Sequence, residues 1–255
     1  MIEPVTLTRG VIFAALFAPP RQITRNESID LYSKLSAQVF PEVKHQFIPG
    51  TSEIPARTEL IENQGRRTNH VLIDIQNNML RLLVELVSPD SYDMAKRNVD
   101  ETMEAFKAIV GNSVRMELAE ARLIVQVPTM RASPALEVFK HGLFQERMER
   151  TAVLGSISHL GFSYTITPDA EATDPLDCPM RQVKIEPLVE DNKFMYLEVM
   201  SNWGRQFIRI SPDDPTRQEL SEGPLCRGVQ VPSSYIDNVK IYIEENICKW
   251  LQTML

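Results

Sequence analysis

The sequence is poor in the residues that chemistry at phosphate, metal and redox sites requires. Its 255 residues include only 10 glycines. Neither G-x-x-x-x-G-K-S/T nor G-x-G-x-x-G occurs, so no glycine-rich loop is on offer to close backbone amides on a pyrophosphate. That argues against the common nucleotide-dependent enzymes. Cysteine is scarce and odd in number: Cys178, Cys226 and Cys248 make no C-x-x-C pair, which leaves neither a disulfide framework nor a zinc knuckle and points to a reducing cytoplasm. The four histidines, His45, His70, His141 and His159, have no partner at i,i+4, so no helix face offers two imidazoles; no metal and no other cofactor is expected. Basic residues are outnumbered, 27 against 34 acidic, for a net charge of -7. A polyanion binder usually shows the opposite excess, so nucleic acid is not an expected partner. Long apolar runs are missing too. Residues 11 to 18 form the strongest one near the start, too short to cross a bilayer, without the usual basic n-region and with Glu3 upstream, and are expected to be a buried strand rather than a membrane or targeting segment.

What remains is a globular composition, 43% hydrophobic and 24% charged, long enough to bury a real core as one large domain or two smaller ones. Residues 5 to 17 alternate, with Val11, Phe13, Ala15 and Phe17 on one side and Ile12, Ala14 and Leu16 on the other, as in a strand covered on both faces. A helix is expected next, capped by Ser28 or Asn26, with Ile29, Tyr32, Leu35 and Val39 inward and Pro41 as its stop. Short extended pieces follow near residues 44 to 48 and 57 to 62. Residues 70 to 75 and 80 to 87 predict a hairpin turning through Asn77-Asn78. Asp90 then caps a long helix with the stripe Tyr92, Ala95, Val99, Met103, Phe106 and Val110, and Gly111 ends it.

The order then repeats. Residues 114 to 127 predict a long strand, and Ser133-Pro134 opens a helix with Leu136, Phe139, Leu143 and Met148 inward. Extended runs follow at 160 to 166, 183 to 189 and 194 to 200, the last two turning through Asp191-Asn192, and Ser233 or Ser234 caps a terminal helix. The stripe of that helix, Ile236, Val239, Ile243, Ile247, Trp250 and Met254, is the stripe of the first long helix displaced by 144 positions. Any two core-facing helices share such spacing; the shared order of elements adds weight to a duplication. The expected fold is α+β, a tandem pseudo-repeat of β-α-β(3-4)-α units over residues 1–111 and 112–255, with a curved, mainly antiparallel sheet and two long helices packed on it. Residues 203–231 are an insertion in the second half, and the whole is expected to form one compact unit. The half-repeat resembles that of the TATA-binding-protein-like fold and of helix-grip folds. The layout of the chain, with its Gly161-Phe162-Ser163-Tyr164 strand and its terminal helix after an extended hairpin, is similar to a sporadically distributed bacterial family of about 250 residues with no assigned function, and fold analogy carries no function of its own.

Side chains in catalytic arrangements are few. Gly161-Phe162-Ser163-Tyr164-Thr165 approaches a nucleophile elbow but puts Thr165 where the turn needs a small residue. His70 and Asp74 share a strand face, and a carboxylate beside an imidazole is how a general base is built, although polar residues on a solvated face give the same pattern. Asp169, Glu171, Asp174 and Asp177 lack the loop order, turn glycine and closing glutamate of a calcium site. No catalytic residue is assigned, and the balance leans away from an enzyme.

Binding residues are better candidates. Trp203-Gly204-Arg205-Gln206-Phe207 opens the insertion with aromatic anchors beside arginine, as contact surfaces often do. A core position for Trp203 and a further strand through Phe207, Ile208 and Ile210 fit the same residues. Arg66-Arg67, after Gly65 in a turn, could fork a carboxylate or phosphate. The candidate binding set is therefore Arg66, Arg67, His70, Asp74, His159, Trp203, Arg205 and Phe207. The expected function is that of a cytoplasmic bacterial scaffold or binding module without catalysis, facing a protein partner or another copy of itself. The alternative is a small-molecule binding protein or an enzyme using a cavity between the sheet and the long helices. Acidity is concentrated late in the chain, 12 basic against 14 acidic residues in 1–111 and 15 against 20 in 112–255.

Overall fold

A computed structural model describes residues 7–18, 23–51, 56–62, 71–76, 79–85, 91–111, 115–128, 161–166, 179–188, 191, 193–204 and 232–254. In chain order its strands are β1 (Leu7–Ala18), β2 (Lys44–Ile48), β3 (Arg57–Glu62), β4 (Val71–Gln76), β5 (Met79–Glu85), β6 (Arg115–Pro128), β7 (Phe162–Ile166), β8 (Met180–Pro187) and β9 (Phe194–Gly204). Its helices are α1 (Arg25–Gln38), α2 (Ser91–Val110), α3 (Ser233–Tyr242) and α4 (Lys249–Met254), the last two joined by a π-helical stretch, Ile243–Cys248.

Period-two alternation makes β1 and β6 strands, and these two pair antiparallel at the centre, from Leu7 opposite Gln126 to Ala18 opposite Arg115, with register shifts at Thr8/Gly10 and Leu16/Phe17. From there the sheet grows both ways. Beyond β1 lie β5, β4, β3 and β2, and beyond β6 lie β9, β8 and β7. Every pairing is antiparallel, so the molecule is α+β with one mainly antiparallel sheet that crosses the midpoint of the chain. Among the described residues no helix is long and apolar enough to cross a membrane.

The described helices contact one face of this sheet. Phe17 of β1 packs on Phe106 of α2 with ring centroids 4.8 Å apart, Phe13 of β1 and Trp203 of β9 both meet Tyr235 of α3, and Phe162 of β7 meets Trp250 of α4. Val11, Phe13, Ala15 and Phe17 are buried there together with Ala119, Ala121, Leu123 and Val125 of β6 and Leu197 and Val199 of β9. Each large side chain so buried contributes roughly 1.5–3 kcal/mol. On the opposite face of β1 Ile12 is buried, Ala14 is half-buried and Leu16 is exposed, so the expected cover on both faces holds at Ile12 and is lost towards Leu16.

The two long helical segments follow their stripes. In α2 Ala95, Val99, Met103, Phe106 and Val110 are buried, and Gly111 closes it at φ +81°, giving its N–H to the Lys107 carbonyl at 2.9 Å. In the terminal segment Ile236, Val239, Ile243 and Ile247 are buried, but the wide π turns bring Cys248 and Leu251 inward as well. The start of α1 differs from expectation. Thr24, not Asn26 or Ser28, is the cap: its hydroxyl accepts the Glu27 N–H while the Glu27 carboxylate accepts the Thr24 N–H at 2.8 Å. This reciprocal box sets the helix earlier in the chain, so Ser28, Leu31 and Leu35 point inward and Ile29 is 42% exposed.

Candidate functional site

Strand alternation places one set of side chains away from the helices, and on β3, β6, β8 and β9 that set is rich in charge. Register aligns Glu120, Arg122 and Ile124 of β6 with Asn202, Met200 and Glu198 of β9, and these with Met180, Gln182 and Lys184 of β8. Arg122 sits at the middle. It donates through Nη1 to Glu198 Oε1 at 2.9 Å and through Nη2 to Met200 Sδ at 3.0 Å and Glu120 Oε1 at 3.4 Å. Its buried Nε has no hydrogen-bond partner among the described residues. Tyr196 donates its hydroxyl to the other oxygen of Glu198 at 2.6 Å; burial first, then this bond and the Glu198 charge, hold the phenol well above its ordinary pKa, so it remains a donor. Lys184 binds Glu186 at 2.9 Å and lies over the Tyr196 ring. On the far side of the sheet Arg57 binds Glu59 at 2.9 Å.

The consequence is a surface in which the cations Arg57, Arg122 and Lys184 are already matched by acids. Half-buried Ile124 and Met200 lie beside Arg122 on the same face, with Phe194 at the end of β9 and exposed Leu16 further along β1. Phosphate recognition needs cations that are not so committed; Arg9 of β1, also on this side, donates through Nε to the neutral Gln126 at 2.9 Å.

A second polar cluster lies beneath α1, on the helix side. The Thr58 hydroxyl of β3 donates to Ser28 Oγ at 2.7 Å, and Ser28 Oγ lies 2.6 Å from Nε2 of His45 on β2. Tyr32 of α1 stacks on the His45 ring at 5.3 Å. The Ser28 hydroxyl has one proton to give and two lone pairs, and in the tautomer with the ring proton on Nδ1 it donates to Nε2. Burial, then the charge of Arg25, lower the His45 pKa and favour the neutral imidazole. A hydroxyl against an imidazole is the first requirement of a nucleophile and its base. The second is access, and Ser28 is 0% exposed, so the pair ties α1 to the β2–β3 hairpin and offers no oxygen to a substrate.

A third cluster joins α2 to α3. Tyr92 donates to Asp237 at 3.0 Å, Lys96 binds the same carboxylate at 2.7 Å, and the Ser233 N–H donates to Asp100 at 2.8 Å. Both Lys96 and Lys240 lie over the Tyr92 ring. Among the described residues no group of three or more His, Cys, Asp or Glu could hold a metal ion.

Of the residues singled out from sequence, Arg66, Arg67, His70, His159, Arg205 and Phe207 lie outside the described residues, as do Cys178, Cys226, the acidic set Asp169 to Asp177 and the helix expected after Ser133-Pro134. Asp74 stands in β4 opposite Glu59 of β3 and Arg81 of β5. Trp203 is 2% exposed at the end of β9 with its ring edge-on to Tyr235, so its anchor is the core and it presents no surface to a partner. Ser163 stands in β7, which runs on as strand through Thr165 to Ile166 where an elbow would turn. Arg122, Glu198 and Tyr196 escaped the sequence reading, although Glu120-x-Arg122 and Tyr196-x-Glu198 carry a signal, polar residues two apart inside apolar strands. No signal marks Ser28 and Thr58, thirty positions apart. No family model and no curated protein matches the chain.

Proposed function

We propose that this protein is a binding module without chemistry of its own, a cytoplasmic scaffold that takes a protein partner, or a second copy of itself, on the sheet face opposite the helices. The observation that carries the reading is the Arg122–Glu198–Tyr196 network at the centre of a broad face that no described helix contacts. Arg57, Arg122 and Lys184 are matched by acids and interleaved with half-buried apolar side chains, a composition suited to protein contact, in which Arg, Tyr and Met are favoured. The competing reading, an enzyme or small-molecule site between sheet and helices, has in its favour, among the described residues, the Ser28–His45 pair. A fluorophosphonate probe is expected to leave Ser28 unlabelled in the native protein; labelling there would revive that reading.

The same proposal includes a tandem duplication over residues 1–111 and 112–255. Two observations support it. Outward from the centre each half runs first strand, last strand, then the others in reverse chain order. The 144-residue displacement carries Asp93 to Asp237 and Lys96 to Lys240, and both lysines flank Tyr92 where α2 meets α3. That arrangement is what the resemblance to TATA-binding-protein-like and helix-grip repeats implies.

The test is site-specific photo-crosslinking in cells. A crosslinking residue at Met200, half-buried on the face away from the described helices, is expected to capture a discrete partner or a second copy, and one at Ile241, exposed on α3, is expected to capture none. Adduct from Ile241 and none from Met200 would move the contact surface to the helices.

A further inference from the structure

We propose that the Thr58–Ser28–His45 chain is a pH-sensitive latch, which holds α1 to the β2–β3 hairpin at neutral pH and releases it when His45 takes up a proton. The three polar groups come from three elements, so the chain is the polar joint between them. Thr58 donates to Ser28 at 2.7 Å and Ser28 faces His45 Nε2 at 2.6 Å. At the inner end both hydroxyls are buried, Ser28 at 0% and Thr58 at 1% exposure, where water is not at hand to replace a lost partner. At the outer end His45 is half-buried on edge strand β2 and within reach of protons.

Direction is what makes the chain sensitive. In the proposed latch every hydroxyl proton runs one way, from Thr58 to Ser28 to Nε2, with the ring proton on Nδ1. A proton on Nε2 turns that acceptor into a donor, so the Ser28 proton loses its partner and the hydroxyl must turn inside a buried joint. The charged groups around the ring oppose the imidazolium or are engaged elsewhere. Arg25 of α1 repels it. Glu27 of α1 is bound to the Thr24 cap, and Glu62, on the ring's side of β3, is 4% exposed and accepts the Glu42 N–H at 3.1 Å. Tyr32 covers the ring from α1.

With the folded pKa below the ordinary 6.5, the open segment binds more protons than the closed one at acid pH. The latch is therefore at full strength above 6.5 and weakens as pH falls below it. Each pKa unit of depression is a tenfold change in the opening equilibrium.

Hydrogen exchange at peptide resolution, corrected for intrinsic rates, reads this directly. On going from pH 7.5 to 5.5 the wild-type protein should exchange several-fold faster in α1, β2 and β3 with β6 and β9 unchanged. His45→Gln, which cannot take the proton, should show no such change. An equal response in His45→Gln, or none in the wild type, would overturn the proposal. Should the variant not fold, NMR titration of the wild-type His45 ring decides: titration below 6.5 with a bare Nε2 supports the latch, and titration at or above 6.5, or a proton resident on Nε2, refutes it.

Discussion

At Gly111 and Gly161 the same residue type answers two different demands. Gly111 ends α2 at φ +81°, and a Cβ built there meets no atom within 4 Å, so the only cost of a side chain is backbone strain. Gly111→Ala should lose about 1 kcal/mol in urea denaturation, and Gly111→Asn should recover part of it because asparagine tolerates the left-handed region. Gly161 precedes β7, and a Cβ there would stand 2.8 Å from Glu186 Cβ and 3.2 Å from the Ile185 carbonyl oxygen. Any side chain must push the end of β7 off β8, so Gly161→Asn should do at least as much damage as Gly161→Ala. Recovery by asparagine at both sites would mean that backbone freedom, not contact, is needed at Gly161. Cys248 makes a third case. Burial first, then the Glu244 charge, push its thiol up to about 11, so at neutral pH it carries no thiolate. Iodoacetamide at pH 7.5 should leave the Cys248 peptide unmodified in native protein and alkylate it in urea; equal labelling in both would put the thiol within reach of solvent.

Helix ends show how far local sequence reaches at the scale of an element. The α2 stripe was legible because start, period and stop agree over Ser91–Val110. For α1 three capping residues compete, Thr24, Asn26 and Ser28, and only the box partner Glu27, three beyond Thr24, separates them. Taking Ser28 as the cap hid its role as the hub between Thr58 and His45, since that role depends on strands distant in the chain. The π-helical stretch was not legible at all: Ile236, Val239, Ile243 and Ile247 satisfy ordinary helical spacing, and the inward turn of Cys248 and Leu251 appears only once the segment is packed. The start of α3 was likewise expected to carry its own serine cap. Pro232 stands at that position with no side-chain bond, and Asp100 of α2 receives the Ser233 N–H instead. A carboxylate at a helix N-terminus is stabilised by the amide and by the helix dipole. Asp100→Ala should therefore cost about 1 kcal/mol of unfolding free energy, with Asp100→Asn between the two, since its amide oxygen still accepts but lacks the charge. Equal loss in both variants would assign the whole effect to charge.

Over the whole molecule the question is whether the halves, residues 1–111 and 112–255, behave as one. They meet along the β1–β6 pairing and again where Tyr92, Lys96 and Asp100 of α2 reach Asp237 and Ser233 of α3. β1 and β6 are the first strands of their halves and the innermost of the sheet, so parting the halves would expose two long apolar strand edges at once, and such edges are templates for aggregation. The sequence suggested this joint through the shared order of elements, but the pairing partner of a first strand lies more than a hundred residues away and no local pattern names it. The chain supplies its own probe of coupling. Its two tryptophans, Trp203 and Trp250, both belong to the second half and pack on Tyr235 and Phe162, whereas Leu35 is fully buried under α1 in the first. Leu35→Ala should cost about 2–5 kcal/mol. If the shared sheet couples the halves, tryptophan fluorescence and far-UV circular dichroism give coincident urea transitions in the wild type, as an all-or-none unit requires. The Leu35 variant should then lower the tryptophan midpoint as far as the dichroism midpoint. A tryptophan midpoint that stays fixed while the dichroism splits into two steps would mean that the halves unfold separately, and that the β1–β6 seam is a contact between domains rather than the centre of one.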